Sequence, residues 1–265
     1  MTPPYDDVRV ADLAGARHIQ LHRPGSLNAW TPAMGRELLE AVTDAAGDPA
    51  VRAILISGAG RSFCAGADVK NARETTADGT PDLSGRLREI YNPVILAVRT
   101  APKPVVGMVH GAVAGLGASL ALACDLLVAA SDAYFLLAFA RIGVMPDGGA
   151  LTFLAERVGL TRAAELAMLA EKLPADRALD WGLLTAVHPP DEAFDRAVAL
   201  TERLAAGPTV ALASIKRTLG AAAQRGLADA LSEEADAQQV HGATHDYAEG
   251  RAAFAEKRTA RFLGR

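Results

Sequence analysis

Residues 103–125 read KPVVGMVHGAVAGLGASLALACD, and this stretch decides the architecture. Pro104 to Val109 is a short apolar run rich in β-branched residues, as a buried strand requires. Gly111, Gly115 and Gly117 punctuate a tight turn, and small apolar residues then carry a helix to Cys124. A strand that turns straight into a helix is a building unit of α/β folds. Upstream, Val51 to Ser57 (VRAILIS) reads as another buried strand, followed by a glycine-punctuated loop from Gly58 to Gly66. Downstream, Leu126 to Ala130 and Tyr134 to Leu137 are two further strands. Strand–turn–helix thus recurs at least twice between residues 50 and 130.

Further out, Val8 to Leu13 and Arg17 to Leu21 form an expected hairpin around Ala14-Gly15. Pro32 opens a helix with Thr31 as its N-cap, and Met34, Leu38, Leu39 and Val42 share one face. Residues 70–84 are polar and aperiodic, which predicts a mobile loop of a length that is often functional. Helical spacing predicts a helix from Leu83 to Arg99 that stops before Pro102. From Leu151 the chain is mostly helical, apart from an expected strand at Leu183 to His188. Pro189-Pro190 and Gly207-Pro208 mark breaks. The tail from Thr209 to Arg265 holds three helical stretches, too short for a core of their own and suited to packing on the body or on a partner subunit.

Composition narrows the class. The 265 residues suit one large domain, or a main domain with a small helical extension. Half are hydrophobic but only 5% aromatic, so the core is packed from Ala, Val, Leu and Ile with backbones close together. The net charge of −4, without any block of like charge, lacks the basic footprint of a nucleic-acid binder. Cys64 and Cys124 are too few for a disulfide framework or a four-ligand zinc site, which suggests a reduced, cytoplasmic setting. The beginning, MTPPYDDVRV, is not patterned as a signal peptide. The longest apolar stretch, from Val105 to Ala130, is interrupted by His110, several glycines, Ser119 and Asp125, which speaks against a membrane span.

Two segments share a chemical design. Ser62 to Asp68 (SFCAGAD) and His110 to Gly117 (HGAVAGLG) each follow a buried strand, and their small residues leave backbone N–H groups uncovered. The second also opens a helix, whose N-terminus adds positive potential. Two such N–H groups aimed at one point would make an oxyanion hole. The plainer alternative is that the glycines only permit tight turns and close packing. Gly111, Gly115 and Gly117 do not match a dinucleotide-binding fingerprint, and no Walker lysine follows.

Five stretches carry a resemblance to a known family: HRPGSLNAW (22–30), ISGAGRSFCAGADV (56–69), residues 103–125 above, FARIGVMPDGG (139–149) and AFAEKR (253–258). They span nearly the whole chain and resemble the crotonase, or enoyl-CoA hydratase/isomerase, superfamily. The resemblance implies an α/β fold, a spiral of repeated β-β-α units over 1–205 that binds acyl-CoA. It implies a helical C-terminal region over 206–265 that makes trimer contacts, in a homotrimer or a dimer of trimers. It calls for a coenzyme A thioester as substrate, with no cofactor and no metal.

Carried over by position, the family's two oxyanion donors fall on the backbone of Ala67 and of Leu116, where Leu replaces the usual glycine. The two glutamates of the family's hydratases fall on Ser119 and Phe139, so both carboxylates are missing. One acid remains in the region, Asp147, at the position used by members that shift double bonds; by itself Pro146-Asp147-Gly148 is also strong turn chemistry. Tyr91-Asn92-Pro93, Phe139 with Arg141-Ile142-Gly143, and the ending HDYAEGRAAFAEKR are most similar to the subgroup that isomerises ring epoxides of phenylacetyl-CoA and enoyl-CoA double bonds. The expected activity is acyl-CoA isomerisation, with enoyl-CoA hydration and a non-catalytic binding protein as alternatives. Expected substrate contacts are Arg23 (to phosphate), Leu27, Ala65, Asp68, Val69, Gly115 and Phe139. Tyr91 and Leu87 either line the acyl pocket or only pack the core. Phe254 and Lys257 either reach coenzyme A on a neighbouring subunit or form an ordinary solvated helix end. His110 reads as structural, Asp125 as a brace of the strand turn, and the two cysteines as small buried hydrophobes.

Overall fold

The computed structural model describes residues 5–68, 75–207, 209–223 and 227–261. The chain opens with a hairpin, β1 (Val8–Leu13) and β2 (Ala16–Leu21), reversed at Gly15, whose φ of +72° a glycine tolerates best. Helix α1 (Pro32–Gly47) follows, its first turn capped by Thr31 accepting from the Met34 N–H, with Met34, Leu38 and Val42 buried. Next come β3 (Ala53–Gly58), α2 (Leu83–Arg86), a π-helical turn (Leu87–Tyr91) and α3 (Asn92–Thr100). The central stretch forms β4 (Val105–Val109), β5 (Ala112–Ala114) and α4 (Leu116–Ala123). Beyond it lie β6 (Leu126–Ala130), β7 (Tyr134–Leu136), a 3-10 turn (Ala138–Ile142), α5 (Ala150–Leu169), β8 (Leu173–Pro174), α6 (Ala175–Asp180), β9 (Ala186–His188) and α7 (Pro190–Ala205). The chain ends in α8 (Thr209–Ala223), α9 (Leu227–Gly242) and α10 (His245–Glu256).

Six strands form one sheet in the order β1-β2-β3-β4-β6-β9, parallel except for the β1–β2 pair. Both faces are buried along the central strands, and the alternation of side chains along each strand divides them. Ile54, Ile56, Val105, Val109 and Leu127 face the main core with α1, α3 and α4. Leu55, Val106, Met108 and Val128 face α7, which presents Ala193 and Ala197 to them. All eight residues of α4 are buried, so this helix runs through the interior. A second sheet has the order β5-β7-β8.

Three expectations are corrected. The turn from Gly111 to Gly117 contains a strand, β5, paired in parallel with β7; three residues are too few to show alternation in a sequence. The helix expected from Leu83 to Arg99 is broken by the π-turn. Pro93 has no N–H to give to Glu89 and its ring crowds that carbonyl, so the ladder widens there. The strand expected from Leu183 is confined to Ala186–His188, because Leu183 and Leu184 turn inward to the core.

The C-terminal helices pack on the rest of the chain. In α8, Lys216 enters the interior, where its Nζ lies 2.9 Å from Asp125 Oδ2 and donates to the Val98 carbonyl at 2.9 Å. Asp125 also accepts from the Val105 N–H at 2.8 Å, so it braces the strand turn and anchors α8 together. Helix α9 lies along α2, and α10 lies on the 3-10 turn. No helix among the described residues is long and apolar enough to cross a membrane.

Candidate active site

The site grows from two loops that meet edge to edge. The first leaves β3 and is held by Asn28, fully buried at a φ of +54°. Its Nδ2 donates to the carbonyls of Ala59, Ser62 and Phe63 at 2.8, 2.8 and 3.1 Å. The loop then bridges to β5: Cys64 N–H donates to Ala112 O, and Ala114 N–H donates to Cys64 O. Trp30 holds the far side by donating to Gly66 O and accepting from the Asp68 N–H.

The second loop is the β5–α4 junction. Gly115 has a φ of +51°, and a Cβ placed on Gly66 would lie 3.1 Å from Ala114 O and 3.5 Å from Leu116 N. The backbone after Gly66 and the start of α4 are therefore in contact. Among the described residues, neither the Ala67 N–H nor the Leu116 N–H donates to a backbone carbonyl. Leu116 is the first residue of α4, where helical N–H groups lack an intrahelical acceptor and the dipole is positive. Amides without a backbone acceptor, one of them at a helix N-terminus, are the kind of donor that stabilises negative charge on an oxygen.

Asp147 comes from a third loop packed against the same helix. Its carbonyl accepts from the Ser119 hydroxyl at 2.8 Å and from the Ala150 N–H at 3.2 Å, at the start of α5. Gly148 follows with a φ of +59°, and a Cβ there would lie 2.9 Å from both Leu116 Cδ1 and Ser119 Cβ. Ser119 thus supports the Asp147 loop from inside α4, and the loop fills the space that a longer side chain at 119 would need. The Leu116 side chain packs toward Gly148. The Asp147 carboxylate accepts from Gln238 Nε2, 3.2 Å from its Oδ2.

These loops open on a cavity of about 1200 Å³, large enough for a sizeable organic ligand. Ala65, Ala67, Gly115, Leu116, Phe139 and Asp147 line it, so the structure brings together the main residues singled out in the sequence. Asp147 is the one carboxylate among the described lining residues. Phe139 is nearly buried, with its ring edge beside Gly115. Tyr91 and Leu87 combine both roles foreseen for them: they line the cavity and are buried in the core, Tyr91 against the Trp30 ring at 5.6 Å. Phe254 lines it from α10 and is largely exposed.

Other expected contacts lie elsewhere. Arg23, Leu27, Asp68 and Lys257 do not line this cavity. Arg23 is engaged by Asp7 at 3.4 Å, Asp68 at 3.3 Å and the Ala29 carbonyl, which makes it a brace of the first loop. Leu27 sits at a φ of +52°, and its carbonyl takes the Ala65 N–H. Lys257 ends α10 with an exposed side chain, while the neighbouring Arg258 pairs with Glu249 and Glu256. Val69 lies outside the described residues, as does part of the loop expected to be mobile. Its described part, from Thr75, is a turn closed by the Thr76 N–H donating to Thr80 O, and Thr80 and Pro81 line the cavity. His110 Nε2 donates to Gly60 O, 2.9 Å away, consistent with a structural part. Burial pushes the thiols of Cys64 and Cys124 up to about 12, so neither forms a thiolate near neutral pH.

Beyond Phe254, the sequence reading did not single out the residues that the last two helices bring to the cavity. Gln238, Thr244, Tyr247 and Arg251 all line the cavity. Tyr247 and Arg251 fall inside the ending HDYAEGRAAFAEKR, which was a usable signal; nothing in ADAQQV (235–240) distinguishes Gln238.

The sequence and the fold have known relatives. The profile of the enoyl-CoA hydratase/isomerase family matches residues 13–265. The chain is 36% identical to the 1,2-epoxyphenylacetyl-CoA isomerase of Escherichia coli K12, over 95% of this chain and 96% of that protein. It is 40% identical to a probable enoyl-CoA hydratase of Rhodobacter capsulatus, over 98% and 99% of the two chains. The crystal structure of an enoyl-CoA hydratase from Mycobacterium avium subsp. paratuberculosis K-10 superposes with a TM-score of 0.89 at 39% identity, covering 98% of this chain and all of that one.

Proposed function

The chain belongs to the enoyl-CoA hydratase/isomerase family, and from that premise we propose that it is an acyl-CoA isomerase working through one carboxylate. The thioester carbonyl oxygen accepts hydrogen bonds from the Ala67 and Leu116 N–H groups. Asp147 takes a proton from C2, the carbon bonded to that carbonyl, and the electron pair spreads into a dienolate whose charge rests on the held oxygen. Asp147 then returns the proton to a different carbon of the conjugated system, and the double bond has moved. Each amide donor contributes on the order of 3–4 kcal/mol to stabilising such an oxyanion. Proton removal and return by one group needs no second acid.

The observation that carries this reading is that Asp147 is the one carboxylate among the described residues around the cavity. Adding water across a C=C bond calls for a base at the water and an acid at the carbon. Ser119 and Phe139 supply neither, and Ser119 spends its hydroxyl on the Asp147 backbone. The acyl group is proposed to be either a 3-enoyl chain or a ring-derived group, the latter in keeping with the relative that isomerises 1,2-epoxyphenylacetyl-CoA. The test is an acyl-CoA panel with mass-spectrometric product analysis on the wild type and Asp147→Asn. Isomerised products, lost by at least about a thousandfold in the variant while acyl-CoA binding persists, are expected. Full activity of Asp147→Asn removes the carboxylate from the mechanism.

Hydration is the second reading, favoured by the 40% identity to a probable hydratase. Loss of conjugated absorbance on adding crotonyl-CoA reports it directly, and rapid loss would displace the isomerase assignment. A homotrimer, alone or paired, is also proposed, with residues 206–265 supplying contacts between copies. Val210, Ile215 and Leu219 of α8 support it, since this helix leaves three large apolar side chains exposed. Light scattering that returned a monomer mass would contradict this part.

A further inference from the structure

Gln238 is the least expected residue at the cavity. It lies on α9, is 3% exposed, and its side-chain amide meets two acceptors at once. Nε2 is 2.8 Å from the Met145 carbonyl and 3.2 Å from Asp147 Oδ2. Both partners only accept, so the NH₂ end must face them. A flipped amide would set Oε1 against a carbonyl and a carboxylate, and it would lose both bonds. The backbone of Met145, two residues before Asp147, therefore locks the amide as a donor. Gln238 Oε1 is meanwhile buried with no hydrogen-bond partner among the described residues. A buried polar atom left without a partner is uncommon, and it marks the side chain for a role beyond packing.

We infer that Gln238 is the positioning residue of the proton shuttle: it pins the Asp147 carboxylate through Oδ2 and fixes the orientation in which that group takes the proton and returns it. This rests on the proposed role of Asp147. The chemistry follows from the lock. A group that can only donate stabilises the ionised carboxylate, the form that acts as the base. The donor is neutral, so it orients the base without the strong loss of basicity that a cation would bring. Because Gln238 belongs to the C-terminal region, α9 completes the catalytic arrangement as well as walling the cavity.

The experiment compares Gln238→Met, which keeps the length and loses the donor, with Gln238→Glu and Asp147→Asn, each checked for melting temperature. In Gln238→Met, kcat is expected to fall by about tenfold to a hundredfold, as for a base held slightly out of place, with KM within about twofold. The acid limb of the kcat–pH profile should move to higher pH. It should move further in Gln238→Glu, where a second carboxylate faces the first. The other titratable side chains lining the cavity among the described residues are Arg86, Tyr91, Arg141, Tyr247 and Arg251, none of them a carboxylate or an imidazole, so that limb reports Asp147. Adding Gln238→Met to Asp147→Asn should cost nothing more, because the two act as one unit. If Asp147→Asn is inactive but both Gln238 variants keep the wild-type kcat and acid limb, the inference is overturned and the isomerase reading survives. If Asp147→Asn stays active, the isomerase reading itself is lost. A Gln238→Met variant whose loss lies wholly in KM, or adds fully to that of Asp147→Asn, reduces the residue to a wall of the cavity.

Discussion

At the scale of single residues, the site is set by what is missing as much as by what is present. Gly148 lets the Asp147 loop press against α4, since a Cβ there would meet Leu116 and Ser119 at 2.9 Å and its φ of +59° disfavours other residues. Gly148→Ala is expected to destabilise the fold by about 2–4 kcal/mol, from the left-handed backbone and from overpacking together. Its effect on kcat should be larger than its effect on the melting temperature suggests, because the displaced loop carries Asp147. Steady-state kinetics alongside a thermal melt will separate the two. Ser119 teaches the complementary lesson. A residue noted in the sequence for lacking a carboxylate proves to hold the remaining one by its backbone.

At the scale of elements, close approach replaces bulk. Helix α7 puts Ala193, Ala197, Thr201 and Ala205 on one stripe, four residues apart, and all are buried. Thr201 removes its own polarity from the core by donating to the Ala197 carbonyl at 2.7 Å. The stripe lets the helix settle on Leu55, Val106 and Val128. Ala197→Leu should therefore lift α7 from the sheet and lower stability by about 1–3 kcal/mol in urea unfolding. Activity per folded molecule should change little, because α7 covers the sheet and does not line the cavity. The π-turn at Leu87–Tyr91 follows the opposite logic. There a proline breaks a helix just where Leu87 and Tyr91 face the cavity.

At the scale of the whole molecule, stability carries a pH signature from one buried imidazole. His18 faces Ser57 across the sheet at 2.8 Å, with Phe194 of α7 at 5.3 Å, and burial lowers its pKa below the ordinary 6.5. Above that value the imidazole is neutral in both states and contributes no pH dependence. As pH falls below it, the unfolded chain takes up a proton that the folded chain refuses, so stability declines and then levels below the folded pKa. The melting temperature of the wild type should drop between about pH 7 and pH 5, and His18→Asn should flatten that drop. Equal slopes in the two proteins would show that the burial of His18 has no such consequence.

Local patterns in the chain were enough for most of the architecture. Buried strands show as apolar runs, α1 by its spacing and its Thr31 cap, and the loops by their glycines, because these signals depend on near neighbours. The resemblance to a family picked out Ala67, Leu116 and Asp147, and the structure places all three at one cavity. What only the tertiary structure decided lies where distant segments meet. Gln238 reaches Asp147 across 91 residues, Lys216 reaches Asp125 from α8, and Arg23 is taken up by Asp7 and Asp68. A side-chain contact of that kind leaves no mark on its own neighbourhood in the sequence; it exists only once burial has brought both partners out of water and fixed their distance.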